Sequence, residues 1–115
     1  MFKFSDLGSL LIGINLFGAN CDGAIECAEV DLIKVDKELN NVYKKLNTKI
    51  NNQQKEALKK AQRAWLQYRD SDLEFSSSLP STAMGQHLIA NELYEKTVKT
   101  QHRVHELTGY LSTFE

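Results

Sequence analysis

The stretch from Gln53 to Phe75 contains neither Gly nor Pro and repeats its apolar residues at helical spacing. Apolar residues three and four positions apart fall on one face of an α-helix, so this stretch predicts a long amphipathic helix. Lys59, Lys60 and Arg63 are expected to face water. The predicted buried stripe consists of Leu58, Ala61, Trp65 and Tyr68, with Leu66 and Leu73 beside them.

Two further runs have the same periodicity. They predict one helix before the Gln53–Phe75 helix in the chain and one helix after it. The run from Ala24 to Ile50 is acidic toward its start and rich in lysine toward its end, which complements the helix dipole. Its apolar positions are Ile25, Val30, Leu32, Val35, Leu39, Val42, Tyr43, Leu46 and Ile50. The last run ends at about Leu111. Its stripe is Leu93, Thr97, Val104, Leu107 and Leu111.

The connections between these runs are short. Asn51-Asn52 marks the first break, and Ser76 to Thr82 is predicted to be a loop because Ser clusters and Pro stop helices. Met84, Leu88 and Ile89 belong either to the third helix or to a short helix that precedes it. One Pro and six Gly in 115 residues leave few turns for an all-β fold. The predicted fold is therefore all-α, a small antiparallel three-helix bundle with room for a short extra helix.

The first 20 residues differ in composition from the rest. Leu7 to Gly18 is almost uncharged, has the length of a signal-peptide core, and is too short for a transmembrane helix. Either residues 1–20 are a cleaved signal peptide, or they form a retained apolar helix that packs on the domain. The single folded domain is expected over residues 21–115. Membrane contact is expected only through the N-terminal segment.

Cys21 and Cys27 are the only cysteines. In an exported domain this pair fits one disulfide that closes a short loop at the start of the first helix, with buried thiols as the alternative. His102 and His105, with Glu106 nearby, could hold a metal, but an exposed histidine pair near a helix end is far commoner. We therefore expect no metal and no cofactor.

Charge and motifs exclude several function classes. The 14 basic and 15 acidic side chains argue against a nucleic-acid partner, which would require a basic excess. Neither cysteine has a partner base in the sequence pattern, and hydrolase and metalloprotease motifs do not occur. We expect a binding protein rather than an enzyme.

Polar side chains lie beside the apolar stripe on each helix. Helical spacing places Asp36, Asn40 and Tyr43 on one face of the first helix. It likewise groups Gln62, Trp65 and Arg69 on the second helix, and Thr97, Gln101 and Val104 on the third. If these faces meet, Asp36 is expected to pair with Arg69 and Asn40 with Gln62. A half-buried Arg requires a carboxylate, so such a network either fixes the helix register or reaches the surface and contacts a partner.

The segment Leu58–Asp70, LKKAQRAWLQYRD, resembles the signature of the lysozyme-inhibitor LprI-type family, which reads Leu-Lys-x-Ala-Gln-Arg-Ala-Trp followed by Arg-Asp. Cys27 and the segment Val35–Tyr43 resemble the family's Cys and its Ala-Asp-x-Glu-Leu-Asn-x-x-Tyr. Thr97 and Arg103–Leu107 resemble its closing Thr, Arg and Glu-Leu. The candidate residues for binding or for an inner polar network are Asp36, Asn40, Tyr43, Gln62, Trp65, Arg69, Asp70, Thr97 and Arg103.

The resemblance implies a bacterial periplasmic or secreted protein that binds and inhibits a lysozyme-like peptidoglycan hydrolase. An immunity protein against a secreted toxin that attacks the cell wall, or a structural envelope protein, are the alternatives. Leu73 and Leu93 stand where members commonly carry two cysteines, so these leucines are predicted to touch. An inhibitor of an acidic cleft would use either the hydroxyl-rich Ser76 to Thr82 or a basic edge, defined as Lys44, Lys45, Lys49, Lys59, Lys60 and Arg63.

Overall fold

A computed structural model describes residues 21–80 and 86–115, with the backbone alone for residues 86–88. Its helices are α1 (Ala24–Asn47), α2 (Asn52–Ser78) and α3 (Gln86–Ser112). Contacts between the ends of the helices show that α1 and α3 run parallel and that α2 runs antiparallel to both. The predicted all-α three-helix bundle is confirmed.

The first helix begins beside a disulfide. Cys21 and Cys27 are bonded, as predicted, and close a loop around Gly23, whose φ of 87° lies in the region that favours glycine. The helix ends at Asn47, slightly before the predicted Ile50. Ile50 still packs against the core from the turn that follows. The short covalent loop therefore anchors the chain at the start of α1.

The predicted break between the first two helices is confirmed at Asn51, where a capping box begins α2. The Asn51 side chain accepts a hydrogen bond from the Gln54 backbone N–H at 2.8 Å, and the Gln54 side chain accepts one from the Asn51 N–H at 2.9 Å. This reciprocal pair satisfies backbone donors that the first turn of a helix leaves without partners. The connection between α1 and α2 is consequently short and well defined.

The predicted loop from Ser76 is wrong for its first three residues, because α2 continues through Ser78. The hydroxyls of Ser76 and Ser78 donate to backbone carbonyls of Leu73 and Phe75 within the helix, at 3.1 and 2.6 Å, so these serines do not end it. The helix ends where Leu79 turns extended, with φ −74° and ψ 149°. Pro80 follows, and a residue before proline is driven out of the helical region.

The apolar core lies between α1 and α3 at the end where both helices finish. Leu39 and Leu107 are fully buried there. The buried cluster comprises Leu39, Val42, Tyr43, Leu46, Leu107 and Leu111. From α2, Leu58, Trp65 and Leu66 pack against it while remaining half-buried. The core is thus formed mainly by two of the three helices.

The predicted buried stripe of α2 is wrong at Ala61 and Tyr68. Both are exposed, and Tyr68 exposes 57% of its surface. The inward line of α2 instead passes through Gln62 and Arg69, which are buried. Each helical residue is rotated by about 100° from the next, so a stripe drawn one residue earlier points toward solvent.

Several predictions fall at the edges of the described structure. Residues 1–20, and with them the signal-peptide alternatives, lie outside it, as do Met84 and the other residues from 81 to 85. Leu88 and Ile89 belong to α3. Leu73 and Leu93 are both half-buried and line the same cleft between α2 and α3, and their direct contact stays a prediction. No helix in the described ranges has the length and apolarity needed to span a membrane.

Candidate functional site

An ion pair links α1 to α2 in the interior of the bundle. Nη1 of Arg69 lies 3.7 Å from Oδ1 of Asp36, and Asp36 exposes only 1% of its surface. The same guanidinium donates to Asp70 at 3.1 Å and to the Thr100 hydroxyl at 3.4 Å. The predicted pairing of Asp36 with Arg69 is therefore present, and Arg69 connects all three helices.

The Asp36 carboxylate is poorly compensated for its burial. Its Oδ1 accepts no hydrogen bond within the described structure, although it lies beside Arg69. Burial raises the pKa of Asp36, and the opposing attraction of Arg69 and Lys96 does not cancel this effect. The ion pair therefore positions α2 without bringing Asp36 to the surface.

A second arginine extends the network along α3. Nε of Arg103 donates to Oε1 of Gln62 at 3.0 Å, and its Nη1 donates to Glu106 at 3.0 Å. Gln62 is fully buried, and its Nε2 has no hydrogen-bond partner in the described part of the chain. The expected pairing of Asn40 with Gln62 is wrong, because the longer Arg103 side chain reaches the Gln62 carbonyl from α3 instead.

Trp65 lies next to both guanidinium groups. The Cζ atoms of Arg69 and Arg103 are 5.3 and 6.0 Å from its ring centroid. Both distances lie within the range of cation–π attraction, which strengthens where the groups are desolvated. Trp65 consequently joins the two halves of the network into one unit that fixes the rotation of α2 about its axis.

The remaining predicted residues lie around this unit. Tyr43 belongs to the apolar core, and burial raises its pKa. Thr97 is buried and donates to the Leu93 carbonyl of its own helix, while Asn40 is half-buried one turn after Asp36. Asp70 is exposed and contributes through Arg69.

Thr100 is the network residue that the sequence analysis missed. It is fully buried, accepts from Arg69 and donates to the Lys96 carbonyl at 2.7 Å. It lies three residues after Thr97 and seven before Leu107, on the same stripe, so the spacing contained the signal. A Thr in an apolar stripe is a position where a polar partner should be sought.

Glu106, the carboxylate considered with His102 and His105 as a metal ligand, is engaged by an arginine. Glu106 accepts from Arg103, and His102 instead lines a cleft between α2 and α3. Residues 21–80 and 86–115 contain no group of three potential His, Cys, Asp or Glu ligands that could hold a metal ion.

Two depressions of the outer surface differ in charge. A groove of about 540 Å³ lies between the start of α1 and α3, and its walls include Asp31, Lys34 and Glu38, so both signs of charge are present. A cleft of about 440 Å³ on α2 is lined by Lys59, Lys60 and Arg63 with Glu56 and Ala57. The second depression belongs to the basic edge and carries a clear positive excess.

Comparison with known proteins gives one informative match. The family profile described as Lysozyme inhibitor LprI matches residues 20–107, which include α1, α2 and most of α3. No curated protein and no solved structure matched. The members of this family are described as inhibitors of lysozyme, not as enzymes themselves. The match covers more than half of the sequence and includes the two arginines, the tryptophan and the buried carboxylate of the inner network. The chain therefore belongs to the LprI lysozyme-inhibitor family.

Proposed function

We propose that this protein is an exported inhibitor that binds a lysozyme-like peptidoglycan hydrolase and blocks its substrate cleft. The observation that carries this proposal is the family match over residues 20–107. Hydrolases of this class place two carboxylates on either side of the bond that they cleave, and an inhibitor acts by occupying that space. The expected partner is a protein, and the site on this chain is a surface.

The inner network supports a surface rather than an internal site. Asp36, Gln62, Arg69 and Arg103 are all buried, and each takes part in a contact within the bundle, Arg69 with Asp36 and Arg103 with Gln62. Because these side chains are buried in the bundle, they are not accessible to a partner protein. They stabilise the arrangement of the helices, and partner binding is left to the exposed residues.

Two features support export. The Cys21–Cys27 disulfide is of a kind that forms and persists in oxidising compartments such as the periplasm and the extracellular space. The sequence before it contains the apolar run Leu7–Gly18, of signal-peptide length. Export would place the protein in the compartment where peptidoglycan hydrolases act.

The direct test is an inhibition assay with the purified protein. Lysozyme activity on cell-wall substrate is measured with increasing inhibitor, and the binding constant is measured separately by calorimetry. We expect inhibition at about micromolar concentration, equivalent to a binding free energy of about −8 kcal/mol. Failure to inhibit any lysozyme-like enzyme, combined with tight binding to a toxin encoded next to the gene, would contradict the proposal and indicate an immunity protein.

A further inference from the structure

The fold separates charge along the bundle in a way that the net charge of −1 conceals. Lys44 and Lys45 lie in the last turn of α1, and Lys59 and Lys60 follow the start of α2. Because α1 and α2 are antiparallel and joined by a short turn, these residues lie toward the same end of the bundle. The opposite end carries acidic residues from the start of α1, the end of α2 and the start of α3: Glu26, Glu29, Asp31, Asp72, Glu74, Glu92 and Glu95.

The cations of the basic edge are available to a partner. All of its members are exposed, and the ion pairs within residues 21–80 and 86–115 are formed by Arg69, Lys99 and Arg103. Glu56 is the acidic residue that lines the cleft of the basic edge. Exposed charges without an ion-pair partner create a long-range positive potential that attracts a negatively charged surface.

Exposed aromatic side chains lie at the same end. Since α3 runs parallel to α1, its last turns lie beside the end of α1, as the packing of Leu111 with Leu46 shows. Tyr110 and Phe114 in this region expose 53% and 45% of their surfaces. Tyrosine and arginine are enriched among residues that dominate the binding energy of protein interfaces. This end therefore combines charge with apolar contact area.

On the basis of the proposed function, we propose that the basic edge, together with Tyr110 and Phe114, is the surface that binds the acidic cleft of the target hydrolase. The paired carboxylates of the cleft provide the complementary charge. The groove between α1 and α3 has mixed charge, and the opposite end of the bundle is acidic, so neither offers comparable complementarity. The partner is a glycoside hydrolase, and the contact is with its catalytic carboxylates.

Charge reversal at matched positions tests this surface. The test variant is Lys45→Glu with Lys59→Glu, and the control is Lys34→Glu with Lys37→Glu, which changes the net charge equally at exposed positions of α1 away from the basic edge. We expect the test variant to inhibit at least about tenfold more weakly, while the control stays near wild type. Added salt should weaken inhibition by wild type more than inhibition by the test variant.

The outcomes separate the two proposals. If wild type inhibits and the test variant inhibits equally well, the basic edge is not the binding surface although the proposed function stands. An equal loss in the control would indicate a general effect of charge and would also overturn the assignment. If wild type inhibits no lysozyme-like enzyme, the function and the surface fail together. Circular dichroism of both variants verifies that the exposed substitutions leave the bundle folded.

Discussion

The interface of α1 with α3 and the interface of α2 with the rest of the bundle are built from different chemistry. The first is apolar toward the end where both helices finish, with Leu39 and Leu107 fully buried where the two helices pack. The second has Gln62 and Arg69 as the buried residues of α2, and its apolar residues stay half-buried. Apolar packing is non-directional, whereas hydrogen bonds and ion pairs depend on geometry. The contrast suggests that α1 and α3 supply stability, and that the polar contacts of α2 define its orientation.

The largest effect is expected from the apolar interface. Replacing Leu39 with Ala removes a fully buried side chain and leaves a cavity that the two helices cannot readily fill. We expect the free energy of unfolding to fall by about 3–5 kcal/mol, measured by chemical denaturation. Leu79→Ala is a control, because Leu79 is 49% exposed and its loss should matter little. Similar losses for the two variants would contradict the assigned core.

The free energy of unfolding should fall more when one member of the Asp36–Arg69 ion pair is removed than when both are replaced by apolar side chains. Arg69→Ala leaves the carboxyl of Asp36 buried without its ion pair, and we expect a loss of about 3 kcal/mol in the free energy of unfolding. This value is at the lower end of the range for a broken buried pair. The reason is that the raised pKa of Asp36 allows the carboxyl to become neutral at modest cost.

The double variant Asp36→Leu with Arg69→Met distinguishes orientation from stability. Apolar side chains of similar volume can replace a buried ion pair with little loss, so the double variant should be more stable than Arg69→Ala in the same denaturation experiment. If it is less stable than the single variant, the ion pair contributes net stability, and the contrast between the two interfaces is smaller than the structure indicates.

The same contrast explains which parts of the fold could be predicted from the sequence. The apolar stripe of α1 and the Asn51 break follow directly from local spacing and capping chemistry. Hydrophobic periodicity misplaces the inward face of α2 at Ala61 and Tyr68, because it weights an aromatic side chain above Gln62 and Arg69. A burial pattern made of polar residues depends on partners in other helices, such as Thr100, which spacing within α2 does not reveal.

The polar residues of the inner network are predictable from two sources. Helical spacing places Gln62, Trp65 and Arg69 on one face of α2, the resemblance to the family adds Arg103, and the structure brings the four together. Their sequence separation spans two helices, so the exact pairs were not predictable from either helix alone. The expected pair of Asp36 with Arg69 is present, whereas Gln62 accepts from Arg103 of α3 rather than pairing with Asn40 of α1.

The pH dependence of stability tests the environment of Asp36. Because burial raises its pKa above 3.8 in the folded state, the folded protein holds this proton more tightly than the unfolded chain does. The resulting stabilisation is fully present below 3.8 and is lost as the pH rises through the folded-state pKa. Relative to Asp36→Asn, wild type should therefore be more stable at about pH 3 than at about pH 7.

Comparison with the Asn variant isolates this group, since the other carboxyls titrate in both proteins. Denaturation curves for wild type and Asp36→Asn are collected at matched pH values, and the difference in the free energy of unfolding is plotted against pH. A difference that grows in favour of wild type as the pH rises would mean that Arg69 dominates and that the pKa of Asp36 is lowered.

The smallest effect is expected at Tyr68, on the outer face of α2. Its ring lies 5.7 Å from Nζ of Lys99, but the side chain is mostly exposed, so Tyr68→Ala should cost only about 0.5 kcal/mol. Trp65→Ala, one turn earlier, should cost about 3 kcal/mol because the ring contacts the core and both buried arginines. Thermal unfolding of the two variants measures the difference. Equal losses would place Tyr68 back in the buried stripe and would require α2 to be rotated from the orientation that its polar contacts define.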